Sequence, residues 1–144
     1  MKIVTEPVDI ASELRPVLLR IARELRHEAS DLGVTASQVS LLVHISRNRG
    51  IGTCDLAELE GVSAPRISKA VDRLVLAGLV GRHRGVDRRR VGFEITPAGR
   101  RIVQSVRKRR TAWLAARLRQ LEPEELERVE AAIEPLARLL EEGR

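Results

Sequence analysis

The sequence contains no tyrosine, and its 144 residues include a single phenylalanine, Phe93, and a single tryptophan, Trp113. RNA-recognition sheets, single-strand channels and sugar platforms stack their ligands on aromatic faces, so this chain is poorly equipped for any of them. Cysteine is equally scarce. Cys54 alone cannot close an internal disulfide or supply a multi-cysteine zinc site. Long apolar runs are also missing. The longest, Leu74 to Val80, already contains Gly78 and falls far short of the roughly 20 residues that span a bilayer. The start of the chain lacks the charged-then-apolar pattern of a secretion signal. With its lone cysteine, this predicts a cytoplasmic, bacterial-type protein with no membrane association.

What the sequence has instead is arginine: 23 Arg against 3 Lys, with 20 acidic residues and a formal net charge of +6. A GC-rich genome accounts for such a ratio as readily as function does, so placement carries more information than the total. Residues 63–110 hold 14 basic and 3 acidic side chains, and the remainder holds 12 and 17. A local net of +11 beside a remainder of −5 is the footprint of a surface for a polyanion, with duplex DNA as the candidate. The 43% apolar content supports a folded core.

Periodicity predicts a mainly α chain. Ile10, Leu14, Val17, Ile21 and Leu25 form one apolar stripe on a first helix from about Val8 to Ser30. Pro16 within it is expected to kink the helix or mark a late start. Thr35 with Gln38 is a capping box opening a second helix to about Arg47, with Val39, Leu42, Val43 and Ile45 mostly inward. Thr53 is expected to cap a short helix from Cys54 to Leu59 that ends at Gly61. Ser63 caps the next helix, with Pro65 in its first turn and Gly78 at its end. Leu79–Arg84 and Val91–Ile95 read as a β-hairpin. Thr96-Pro97 opens a long helix to about Arg119, and a last helix runs from Pro123 to about Glu141. There Leu126, Val129, Ile133, Leu136 and Leu140 alternate three- and four-residue steps, a heptad seam that wants a partner. The stripes on the first and last helices exceed what a small domain can cover, which predicts a twofold dimer over a monomeric bundle.

The central order of short helix, tight turn, helix and hairpin is a helix-turn-helix with a wing. At about 100° per residue, Ile67, Ala70, Val71 and Leu74 fall on one side of the second helix of the motif. Pro65, Arg66, Lys69, Asp72 and Arg73 fall on the other, with Ser68 at the boundary. A solvated basic face is the simpler reading of that helix alone. The hairpin shifts the balance, because Arg82, Arg84, Arg88, Arg89 and Arg90 crowd it with Asp87 the sole carboxylate at its tip. Such density is costly unless an anion neutralises it, and the narrow minor groove attracts arginine.

In this order and spacing the residues resemble the MarR family of bacterial transcriptional regulators. Leu56-Ala57, Val71-Asp72-Arg73-Leu74 and Ala77-Gly78-Leu79-Val80 carry the likeness, followed by Asp87-Arg88-Arg89 and Ile95-Thr96-Pro97-Ala98-Gly99. The resemblance implies a winged helix-turn-helix over residues 35–96, and helical dimerisation regions at 1–34 and 97–144. It also implies a homodimer on a near-palindromic operator in double-stranded DNA, repressing until a small-molecule effector releases it. Two recognition helices would then lie about 34–36 Å apart, one DNA turn. By the same resemblance Ser63, Pro65, Arg66, Ser68 and Lys69 contact bases or phosphates. Arg73 is a phosphate clamp or a partner of Asp72. Asp87 braces Arg88 or Arg89 while the other meets DNA, and Arg84 is a further tip candidate. Gly85-Val86 departs from the family in making the tip short and apolar.

Other residues carry weaker signals. Cys54 reads as structural, with redox sensing the alternative. His27, His44 and His83 lack metal-ligand spacing and read as packed or surface residues, with His27 and His44 alternatively edging an effector cavity. Trp113 is expected in core or dimer packing. Arg107 to Arg110 read as a solvated face, with DNA flanks or the acidic last helix as alternative contacts. No nucleophile–base–orienter set and no phosphate loop occur, so neither an enzyme nor a cofactor is expected. Two other readings stay open: a nonspecific architectural DNA-binding protein without ligand sensing, and an interaction module that makes no use of DNA.

Overall fold

In a computed structural model, which describes residues 5–84 and 91–141, the predicted elements form in the predicted order. They are α1 (Pro7–Ser30), α2 (Ala36–Arg47), α3 (Thr53–Glu60), α4 (Ala64–Leu76), β1 (Val80–Arg84), β2 (Val91–Ile95), α5 (Pro97–Leu118) and α6 (Pro123–Arg138). The chain divides into two compact units, Met1–Arg110 and Thr111–Arg144. No helix among the described residues is long and apolar enough to cross a membrane.

Local chemistry sets most boundaries. Thr35 Oγ1 accepts from Gln38 N at 3.1 Å while Thr35 N donates to Gln38 Oε1 at 2.9 Å, so the capping box of α2 is complete. α1 is uninterrupted through Pro16 and begins at Pro7, so of the kink or late start expected at Pro16 the late start does not occur. A second correction concerns Thr53. It is the first residue of α3 rather than its cap, and the cap position is held by Gly52, which has no side chain to bond the orphan amides.

Two clusters fill the first unit. The larger brings Leu42 and Ile45 of α2, Leu56 of α3, Ile67, Val71 and Leu74 of α4, and Phe93 of β2 together. The smaller joins Ala29, Val34 and Val39 to Val106 of α5. α2 therefore packs on two sides, with Leu41, Leu42 and Ile45 in the larger cluster and Val39 in the smaller. Arg109 Nη2 donates to Asp31 Oδ2 at 2.6 Å, and Arg110 Nε donates to the Leu25 carbonyl at 3.0 Å. Half of the run from Arg107 to Arg110 thus ties α5 to α1, while Arg107 and Lys108 are exposed.

The hairpin is antiparallel, pairing Val80 with Ile95 and Arg82 with Phe93. It gains a third partner that the pattern did not announce. Gly50 N donates to the Phe93 carbonyl at 3.0 Å, and Phe93 N donates to the Ile51 carbonyl at 2.9 Å. At Gly92 the backbone of Gly50 comes so close that an added Cβ would lie 2.4 Å from its oxygen. In the second unit α6 buries none of its residues, and the Arg117 guanidinium lies 3.9 Å from the centre of the Trp113 ring.

Candidate nucleic-acid interface

α3 and α4 are joined by Gly61, Val62 and Ser63. Gly61 adopts φ 66°, the left-handed conformation in which a glycine has no Cβ to clash, and this turns the chain sharply out of α3. Ser63 then takes an extended conformation and its hydroxyl accepts from Arg66 N at 3.4 Å, starting α4. The helix that follows has two unlike faces. Ile67, Val71 and Leu74 are buried, with at most 2% exposure, so the rotation of α4 is set by its core side. Pro65, Arg66, Ser68, Lys69, Asp72 and Arg73 are all exposed. The structure therefore presents every α4 residue that sequence reasoning placed at the interface.

The outer face is itself divided. At about 100° per residue, Arg66, Lys69 and Arg73 share one edge, and Pro65, Ser68 and Asp72 share the other. The cationic edge borders a groove of about 440 Å³ whose lining also includes Ser37 and Leu41 of α2 and Glu60 of α3. On the opposite edge Asp72 is paired with Arg82 of β1. Of the two alternatives offered for Arg73, the Asp72 carboxylate is paired with Arg82 instead, and Arg73 lines the groove. A second pair, Arg49 Nε to Glu94 Oε1 at 3.1 Å, holds the loop after α2 to β2. Thr96 Oγ1 donates to the Gly78 carbonyl at 2.7 Å and accepts from Gly99 N at 3.1 Å, which joins the end of α4 to the start of α5.

Glu60 closes the joint between α2 and α3. Its Oε1 accepts from Ser40 Oγ at 2.8 Å and from His44 Nδ1 at 2.6 Å. Sequence reasoning read His44 as packed or surface, with a cavity edge the alternative. It is part-buried and hydrogen-bonded to Glu60, which lines a cavity of about 640 Å³ with Ala22, Leu25, Arg26, Ser40 and Arg110, and His44 is not in that lining. His27 is exposed and is not part of that lining. Cys54 is exposed in the first turn of α3. The side chain of Arg84 and the whole of Asp87, Arg88, Arg89 and Arg90 lie outside the described residues. Sequence reasoning named Asp72 and Arg82 but not their pairing, and it missed Ser37 and Glu60 in the linings. An acidic residue on the basic outer face of α4 was the one available signal, and it marked Asp72.

Residues 34–91 match the model of the MarR family. An HTH-type transcriptional regulator of Mycobacterium tuberculosis is 28% identical over 135 residues, covering 93% of this chain and 94% of the relative. The crystal structure of RV1404 from Mycobacterium tuberculosis superposes with a TM-score of 0.81 at 27% identity, covering 96% of this chain and 97% of that one. A mutant of MepR from S. aureus, solved bound to an oligodeoxyribonucleotide, shares the fold with a TM-score of 0.72 at 19% identity, covering 91% and 97% of the two chains.

Proposed function

We propose that this chain is a DNA-binding transcriptional regulator of the MarR family, not an enzyme, and that it acts as a cytoplasmic homodimer. In this reading it represses transcription from a near-palindromic operator and is released by a small molecule. Residues 35–96 serve as the DNA-binding part, and 1–34 with 97–144 as the dimerisation part. The observation that carries the DNA-binding surface is the exposed face of α4, rigidly oriented by Ile67, Val71 and Leu74 beneath it. Ser63, Pro65, Arg66, Ser68, Lys69 and Arg73 are its proposed contacts, joined by Arg84, Arg88 and Arg89 from the wing, with Asp87 as the brace. The oligonucleotide held by the MepR mutant supports the partner, double-stranded DNA.

Exposure of apolar side chains supports the dimer. In the single chain Ile10, Val17 and Ile21 of α1 and Leu126, Val129 and Ile133 of α6 are between 36% and 63% exposed. Fully burying a side chain of this size contributes about 1.5–3 kcal/mol, so a second copy gains much by covering both stripes. The cavity lined by Leu25, Arg26, Glu60 and Arg110 is the proposed effector seat. Ser37 and Glu60 border both this cavity and the groove along α4, so an occupant of one lies against the wall of the other.

Selection of bound fragments from the source genome, followed by gel shifts with competitor DNA, tests the reading. Specific retention over competitor is the expected result. Equal binding to all duplexes with steep salt dependence would favour a nonspecific architectural protein. Arg89→Ala is expected to weaken operator binding at physiological salt, and unchanged affinity would remove the wing from the DNA contacts.

A further inference from the structure

The groove on the flank of α4 brings together residues from two helices that the major-groove reading of α4 does not connect. Arg66, Lys69 and Arg73 follow one another at i, i+3 and i+7 along one edge of α4. Across from them stands Ser37, the exposed second residue of α2, and all four line the same groove. None of the three cations has an ion-pair partner among the described residues. The only acid in the lining, Glu60, is engaged by Ser40 and His44 through Oε1. A row of unneutralised cations facing a hydroxyl is a donor-rich recess suited to an anion.

We propose that this groove seats a backbone phosphate of duplex DNA, with the Ser37 hydroxyl as a donor and Lys69 and Arg73 as counter-charges. The proposal rests on the DNA-binding reading and divides its labour. The cationic edge of α4 sets register on the phosphates together with α2, and Pro65 and Ser68 on the other edge are left to meet the bases. Phosphate contacts orient a protein on DNA and carry no sequence information directly. The Asp72–Arg82 pair keeps the second edge free of unpaired charge.

The test is binding to short duplexes of several arbitrary sequences, followed by fluorescence anisotropy across a salt series, with thermal melts of each variant to check folding. Ser37→Lys adds a cation at the seat. It is expected to bind all duplexes more tightly. Ser37→Glu is expected to weaken binding on all of them. Lys69→Ala and Arg73→Ala are each expected to weaken binding equally for every sequence, and the double variant to reduce the slope of log K against log salt by about 0.9. If both Ser37 variants bind like the parent while the double variant of Lys69 and Arg73 still flattens the slope, the seat is overturned and DNA binding stands. Losses at Lys69 and Arg73 that depend on sequence would also overturn it, by making them base readers. A parent protein that binds no duplex would overturn the DNA-binding reading and the seat with it.

Discussion

Asp72, on the outer face of α4, is paired with Arg82 on β1. Both side chains are about half exposed, at 52% and 50%. A pair this wet contributes little to stability, at most about 1 kcal/mol. Its consequence is geometric, since it couples the two elements proposed to grip DNA.

Asp72→Ala and Arg82→Ala are therefore expected to lower operator affinity with little change in melting temperature. The charge-swapped double variant, Asp72→Arg with Arg82→Asp, should recover much of the affinity lost by either single swap. Anisotropy titrations on a selected operator, alongside thermal melts, check this. Absence of recovery in the double variant would mean that the two charges act separately.

Gly92→Ala should destabilise the fold, because the added methyl would meet the Gly50 backbone rather than a movable side chain. Relieving that clash means separating β2 from the Gly50–Ile51 segment that bonds Phe93. A cost of about 1–3 kcal/mol is expected, as for other overpacked sites. Urea unfolding measures it, and a loss below that range would show that the third-strand contact yields easily.

Glu60→Ala leaves the Ser40 hydroxyl and the His44 ring without the acceptor that joins α2 to α3. Removing the acceptor of part-buried donors costs about 1–3 kcal/mol. Glu60→Gln, which keeps one acceptor oxygen, should lose less. Chemical denaturation of the three proteins ranks them, and equal stability of Glu60→Ala and the parent would show that water satisfies both donors.

A chain ended before Glu122 lacks α6 and its exposed seam of Leu126, Val129 and Ile133. It is expected to be monomeric or insoluble, as light scattering after size-exclusion chromatography would show. A well-behaved dimer of the shortened chain would remove α6 from the proposed interface.

Element order and type were legible because each signal acts within a few residues. The Thr35–Gln38 box, the Ser63 cap and the alternation of Ile67, Val71 and Leu74 need only neighbours in the chain. Those same signals oriented α4 and turned Pro65, Arg66, Ser68, Lys69, Asp72 and Arg73 outward. The error at Thr53 arose because a threonine before a helix satisfies the capping pattern equally well from inside the first turn.

By itself, then, the sequence determined the helices, the hairpin, the local concentration of positive charge and the face of α4 that turns outward. Those follow from backbone preference and from hydrophobic period, which are properties of contiguous residues. Tertiary structure alone decided that Asp72 takes Arg82 and not Arg73, that Gly50 and Ile51 extend the hairpin, and that Ser37 faces the cations of α4. Each of these joins residues from different elements. Which charge meets which across such gaps depends on how the buried faces pack, and no spacing along the chain encodes that distance.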